Sequence, residues 1–236
     1  MPLQPLEPQR LYRQIADQLR AGMLSGEYAV GSRLPAERAL AVQLGVSRPS
    51  VREALSALEV EGWVEVRTGS GVYVLDRSHR AKVAQVSSSE WGPLELIRAR
   101  RLVEGEVAAI AAEQAKRKDV AAMRRAIDAM IADAGRGVLP LEGDRAFHTA
   151  IVEACDNMVL IETVLNFWDS RSGPLYTRMV GYFETMKSWQ SAITEHETIL
   201  AAICAKDAPA ARAAMHAHMD KSHARFSASW RKAKTS

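Results

Sequence analysis

Residues Leu34 to Leu58, LPAERALAVQLGVSRPSVREALSAL, decide how the chain is read. Leu40 and Leu44 fall on one helical face, Gly45-Val46-Ser47 breaks the pattern, and Val51, Leu55 and Leu58 resume it at three- and four-residue spacing. The spacing predicts a helix, a tight turn and a second helix. Ser47 is placed to cap the second helix by accepting a backbone N–H, and Pro49 falls in its first turn, where a missing N–H costs little. Arg48, Ser50 and Arg52 stay off the predicted buried stripe. In a helix-turn-helix the start of the second helix enters the major groove, where arginine pairs with guanine O6 and N7 and serine bonds phosphate. Taken alone, the same stretch also suits an ordinary helical hairpin with solvated arginines.

The residues beyond Leu58 separate these two possibilities. Glu61-Gly62 ends the second helix, Trp63 to Arg67 alternates as a strand should, Thr68-Gly69-Ser70-Gly71 supplies a turn, and Val72-Tyr73-Val74 alternates again. A helix-turn-helix followed by a β-hairpin is a winged helix. The glycines at the hairpin tip allow close approach to a phosphate, with Arg67 and Thr68 beside them. From Leu11 to Leu75 the sequence resembles the N-terminal domain of GntR-type bacterial transcription regulators. That resemblance implies DNA-contacting arginines at Arg38, Arg48 and Arg52, with Ser47, Pro49 and Ser50 at the tip of the recognition helix and Thr68 and Gly69 in the wing. Arg38 is expected on phosphate. Ala36 stands where many members have serine, and loss of that cap costs the helix it opens about 1 kcal/mol.

Outward from this stretch, 236 residues with 47% hydrophobic content leave room for two packed domains. No run of 18 apolar residues occurs, and MPLQPLEPQR lacks the charged-then-apolar pattern of a secretory signal, so the expectation is a cytoplasmic protein without membrane contact. Cys155 and Cys204 have no metal-type spacing and are read as core residues. The net charge of +3 does not announce a nucleic-acid binder, so the local placement of the arginines has to carry that expectation.

Residues 1 to 10 read as a loose arm. Leu11, Ile15, Leu19 and Met23 mark the first helix of the winged domain, expected over 1–75. Asp76 to Pro93, with Ser87-Ser88-Ser89 and Gly92-Pro93, reads as a linker. From 94 to 236 the pattern is helical throughout: Leu94 to Ala115, Asp119 to Ala134, Leu141 to Ala154, Met158 to Ser172, Thr185 to Lys206 and Ala208 to Trp230. The fold class is therefore mainly α: a winged helix-turn-helix with a small β-hairpin, then an antiparallel all-α helical bundle.

Within that bundle Asp144 and His148 are spaced i, i+4 on one helix face. His196, His216, His218 and His223 follow on later helices, so four ligands can converge on a metal, or the histidines can be surface or packed residues. The segments Phe147 to Leu160 and Glu195 to Met219 resemble the ligand-binding domain of the FadR branch of the GntR family. The resemblance implies a divalent metal, zinc or nickel, on Asp144, His148, His196 and His218, holding a carboxylate effector. His216, two residues from His218, falls on a different helix face. Leu94 to Glu104 resembles the first helix of that domain, with Arg100 at its effector-binding position; Arg98 and Arg101 read as solvated. Phe167 to Arg171 resembles a segment of the hexuronate-responsive members, in which Trp168 and Arg171 would meet a sugar acid; Trp168 as plain core is the other reading.

The function expected is a homodimeric regulator of transcription, a repressor, bound to a pseudo-palindromic operator and modulated by a small carboxylate or sugar acid at the metal site. Two alternatives stay open at this point: a metal-dependent enzyme acting on a small carboxylate, and a regulator for which metal is itself the signal.

Overall fold

A computed structural model of the chain describes residues 10–76 and 90–228. The arm at 1–10 (apart from Arg10), most of the 76–93 linker and the end of the last expected helix at Trp230 lie outside the described residues. The chain forms two compact units: one takes in the chain to Pro93 together with Gly173–Tyr182, the other Leu94–Ser172 and Phe183–Ala228.

The first unit opens with α1 (Leu11–Leu24), which turns Tyr12, Ile15, Ala16 and Leu19 inward. It packs on α3 (Arg48–Val60), which also carries α2 (Glu37–Leu44). The turn between α2 and α3 is made by Gly45, at φ 65°, ψ 30°, a left-handed conformation that glycine adopts without a Cβ penalty. Ser47 Oγ accepts from Ser50 N at 3.2 Å and Pro49 lies in the first turn of α3, so this helix starts as its sequence specifies. Ala36 is the N-cap of α2 and offers no side-chain acceptor.

Strands β1 (Val64–Arg67) and β2 (Gly71–Val74) pair antiparallel, with Val64 opposite Val74 and Arg67 opposite Gly71. The turn closes through Ser70 N to Arg67 O at 2.9 Å, with Gly69 at φ 78°. A third extended stretch lines β2, because Leu34 N donates to Val72 O and Val74 N to Ser32 O, each at 2.9 Å. By sequence Ser32–Leu34 is only loop; its pairing is with a strand about forty residues away, a contact that local periodicity does not encode.

A helix from later in the chain completes this unit. The sequence pattern leaves 173–184 unassigned and places all of 94–236 in one domain. The chain instead forms α8 (Pro174–Phe183), and Gly173–Tyr182 groups with the first unit. Glu90 accepts from Leu175 N at 3.0 Å, satisfying one free N–H at the helix start, and its own carbonyl accepts from Tyr12 OH at 2.9 Å. Gly173 leaves room there for the Glu90 carboxylate, which a Cβ would displace. Further along, Arg178 Nε and Nη2 donate to Glu59 at 3.0 and 2.7 Å, and Tyr182 OH donates to the same carboxylate at 2.6 Å. Glu59 also accepts from Val66 N at 3.1 Å, so one carboxylate near the end of α3 ties together the start of the wing and α8.

The second unit is all helical: α4 (Pro93–Gln114), α5 (Arg117–Gly135), α6 (Leu141–Glu153), α7 (Met158–Asp169), α9 (Met186–Cys204) and α10 (Ala208–Phe226). Helix α7 stops at Asp169 and a short 3-10 turn covers Ser170–Ser172, where the sequence pattern runs one helix through. Helix α5 packs on α6 and α9, α9 on α10, and α6 on α7. Their shared core includes Val107 and Ala111 of α4, Ile127 and Met130 of α5, Phe147 and Ile151 of α6, and Ile199 and Met215 of α9 and α10. Cys155 belongs to this core, and burial pushes its thiol up to about 11. Cys204 does not: it is exposed at the end of α9, where the apolar face runs out, which corrects its expected place in the core. Among the described residues, no helix is long and apolar enough to cross a membrane.

The uncapped start of α2 gives a direct test. Ala36→Ser supplies an acceptor to the first-turn N–H groups and should stabilise the winged unit by about 1 kcal/mol, read as a shift in its denaturation midpoint.

Candidate nucleic-acid interface and metal centre

In the first unit the starts of α2 and α3 and the wing enclose a cleft of about 420 Å³. Four arginines line it: Arg33, Arg38, Arg48 and Arg67. Arg38 and Arg48 are exposed, as are Ser47 and Gly69, while Pro49, Ser50 and Thr68 are half-buried. Four guanidiniums converging on one groove make a local positive field that a net charge of +3 conceals. Arg67 was expected beside the wing tip, whereas Arg33 was not expected at this surface at all. Arg33 arrives because its backbone pairs opposite Tyr73, and Gly71, at φ 138°, leaves room for its side chain. Arg67 lies over the Tyr73 ring, 4.3 Å from the centroid.

Arg52 departs from its expectation. It is 1% exposed, with Nε 3.2 Å and Nη2 2.7 Å from the two carboxylate oxygens of Glu37. The forked pairing joins the start of α2 to the first turns of α3, so Arg52 is buried beneath the arginine-lined cleft rather than off the buried stripe. The neighbouring Arg48 Nη2 is 3.8 Å from the same Glu37 and remains half exposed.

The second unit brings Asp144, His148, His196 and His218 together. All four are buried, and their ligating atoms lie within 4.8 Å of one another. Asp144 and His148 come from one face of α6, one turn apart, while α9 supplies His196 and α10 His218. His196 Nε2 is 3.3 Å from His148 Nε2 and 3.2 Å from Asp144 Oδ1. His216 takes no part and lies against Gly105 of α4, consistent with its different helix face.

Two carboxylates that sequence reasoning missed set the orientation of this cluster. His148 Nδ1 donates to Glu104, and His218 Nδ1 donates to Glu195 at 2.8 Å. With Nδ1–H committed outward, both rings turn their Nε2 lone pairs inward beside an Asp144 oxygen. A set of acceptors facing one another in a buried site suits a cation, and carboxylate-held histidines are the usual outer support of metal ligands. The protonation states agree. Burial lowers the pKa of His148, and it lowers that of His218 to about 3 with His196 adding to the effect, so both imidazoles are neutral. Burial opposes ionisation of Asp144, but the Arg171 charge and the hydrogen bond with His196 hold it well below the usual carboxylate range. Glu104, also against burial, is held at about 2 by Arg100 and His148. The donor set of imidazoles and carboxylate fits a divalent transition metal such as zinc.

The three expected effector residues border this cluster. Trp168 is 4% exposed and its ring is 5.1 Å from that of His148. The guanidiniums of Arg100 and Arg171 lie over the indole at 4.3 and 3.9 Å. Arg171 Nη1 donates to Asp144 Oδ2 at 3.0 Å, and Arg100 pairs with Glu104. The indole Nε1 is buried without a hydrogen-bond partner. Glu184, with a side chain 8% exposed, lies 3.8 Å from Arg225 Nε. Burial pushes its carboxyl up, with the Arg225 and Arg171 charges opposing.

Two variants test these placements. Arg52→Ala leaves Glu37 without its buried partner and should cost the winged unit about 3 to 5 kcal/mol; thermal unfolding would report this loss directly. Glu104→Leu removes the acceptor of His148 Nδ1–H and should weaken metal binding about 10- to 100-fold, read by competition with a chelator.

Comparison with known proteins places both units. Residues 11–74 match the family described as bacterial regulatory proteins, gntR family, and residues 95–221 match the FCD domain. The chain is 37% identical over 219 residues to the Uxu operon transcriptional regulator of Escherichia coli K12, covering 90% of this chain and 85% of that protein. It is likewise 37% identical over 223 residues to the Exu regulon transcriptional regulator of the same organism, covering 91% and 83%. Among solved structures, E. coli McbR/YncC shares the fold at 24% identity and a TM-score of 0.51, over 92% of this chain and 97% of that one.

Proposed function

From the premise that the chain belongs to the gntR family of bacterial regulatory proteins and carries an FCD domain, we propose that it binds its operator under the control of a carboxylate held at a divalent metal. It is a transcriptional regulator and not an enzyme, as are the relatives across nine-tenths of its length. The observation that carries the proposal is the inward-facing set of Asp144, His148, His196 and His218 with Arg100, Trp168 and Arg171 beside it. A zinc or nickel ion held by these four residues would supply positive charge to attract a carboxylate, and a guanidinium beside it would add paired hydrogen bonds to the same anion. Relatives named for the Uxu operon and the Exu regulon support a sugar acid, a hexuronate, as that anion.

The cleft of Arg33, Arg38, Arg48 and Arg67 is the operator-facing surface in this proposal. Arg48, with Ser47, Pro49 and Ser50, reads base edges at the tip of α3; Arg38 positions the phosphate backbone; Thr68 and Gly69 bring the wing to the adjacent strand. Arg52 supports the surface through Glu37. One recognition helix reads few base pairs, so the regulator is a homodimer on a pseudo-palindrome, with operator binding assigned to the winged unit and dimerisation and effector binding to the helical unit, Leu94–Ser172 and Phe183–Ala228. The effector acts as a repressor's inducer through unequal affinity for the operator-bound and free arrangements.

Arg48→Ala should lower operator affinity by about 1 to 3 kcal/mol and relax selectivity at one base position. Arg38→Ala should weaken all sequences alike and reduce the salt slope of binding. For the effector site, His148→Ala and His196→Ala should reduce bound metal in the purified protein and abolish the response to a hexuronate, while operator binding without effector survives. Unchanged metal content in both variants removes the proposed site. A response to metal alone, indifferent to carboxylates, makes the metal itself the signal.

A further inference from the structure

One buried carboxylate of the winged unit holds both the wing and a helix that lies outside the arginine cleft. Glu59 Oε2 accepts from Arg178 Nε at 3.0 Å and from Tyr182 OH at 2.6 Å, and its Oε1 accepts from Arg178 Nη2 at 2.7 Å and from Val66 N at 3.1 Å. A carboxylate has about four lone-pair sites, so these donors fill it, and its side chain is 8% exposed. Val66 N points out of the hairpin. The carbonyl of Val72 and the N–H of Val74 face Ser32–Leu34, so strand alternation turns Gly71 and Tyr73 toward β1 and leaves Val66 N on the far edge. Glu59 therefore holds the edge of the strand that carries Val66 and Arg67 into the cleft, with Gly69 and Ser70 following. Neither Arg178 nor Tyr182 lines that cleft. Both stand on α8, whose neighbours along the chain belong to the helical unit. Just before α8, Arg171 donates to Asp144 Oδ2 at 3.0 Å; just after it, Thr185 caps α9, the helix of His196.

We infer that Glu59 is a positioning residue for the wing, and that α8, through Arg178 and Tyr182, sets whether it holds the wing in the operator-binding arrangement. With α8 docked, the carboxylate is neutralised and fixed, and Val66 N has its acceptor. With α8 displaced, Glu59 is left buried with a single backbone donor, a state costly enough to turn it toward water and release the wing edge. These are the two arrangements that any coupling between sites requires. The control by α8 rests on the metal-held carboxylate proposed above: an anion that takes the Arg171 guanidinium competes with Asp144 for it, and Arg171 is joined to the start of α8 through Ser172 and Gly173. The positioning role of Glu59 does not depend on that effector.

The test is a double-mutant cycle on full-length, zinc-loaded protein, read as affinity at fixed salt for a duplex that wild type selects from a random-sequence pool. Arg178→Ala should weaken binding about threefold or more, and the loss caused by Arg67→Ala in the wing should be smaller by about threefold or more in the Arg178→Ala background, because the wing is already released. Losses that simply multiply, or an Arg178→Ala variant that binds as wild type does, overturn the positioning role. The second arm adds D-glucuronate or D-galacturonate. One of them should lower wild-type operator affinity about 5- to 150-fold, and the ratio should fall to within about twofold of one in Arg178→Ala while calorimetry still shows the acid bound. A merely structural junction lowers affinity and leaves that ratio as in wild type, which overturns control by α8. Tyr182→Phe, which keeps the ring and removes only the hydroxyl, carries both comparisons if Arg178→Ala unfolds. If neither acid changes operator binding by wild type, the effector reading falls and control by α8 with it, and the cycle alone decides the role of Glu59.

Discussion

The second unit is built around a constraint: four polar side chains at the centre of an apolar bundle must each find a partner, because a buried unpaired charge is far more costly than a missing contact. Glu104 and Glu195 meet much of that demand. Each takes the outer nitrogen of a histidine, and Glu104 is in turn neutralised by Arg100 one helical turn away. The chain of pairings runs from Arg100 through Glu104 to His148, and on the other side of the cluster Arg171 pairs with Asp144. Each link fixes the rotamer of the next, so the inward atoms are held in place by the carboxylates behind them. Because α4, α6, α9 and α10 all contribute, the helices' relative register is set by polar pairing as well as by the apolar core.

The winged unit uses a related device with opposite bias. One acidic side chain, Glu37, stands among the arginines of the cleft and is engaged by Arg52 from behind. That pairing neutralises the acid that lines the cleft, while Arg38 stands exposed to solvent. The cleft's positive character thus depends on a buried arginine that is not itself among its lining residues.

Legibility in the sequence followed the range of the interactions involved. The helix-turn-helix, its Ser47 cap, the Gly45 turn and the hairpin were all readable, because each is specified within a few residues. The four clustered residues of the bundle were named from an i, i+4 pair and a resemblance, and the structure brings them together. Glu104 and Glu195 were not, since nothing local distinguishes a carboxylate that faces a histidine on another helix from one that faces water. Arg52 was misplaced for the same reason: its spacing put it off the apolar stripe, but a carboxylate fifteen residues earlier drew it inside. Helix α8 is not legible locally because Glu90 and Glu59 supply its anchorage from distant parts of the chain.

Helix α8 also changes what counts as a module. By sequence it lies inside the FCD match at 95–221, yet its hydrogen bonds are made with Glu90 and Glu59 of the winged unit. The boundary drawn along the chain and the boundary drawn by contacts are different lines. A recombination event that joined this winged unit to another regulator's helical domain would have to bring a helix able to meet Glu59, or leave that carboxylate without its arginine and tyrosine. The two parts of this chain are therefore not freely interchangeable pieces: the DNA-binding part inherits one of its helices from its neighbour, and the pairing of residues 59, 178 and 182 has to descend as a set.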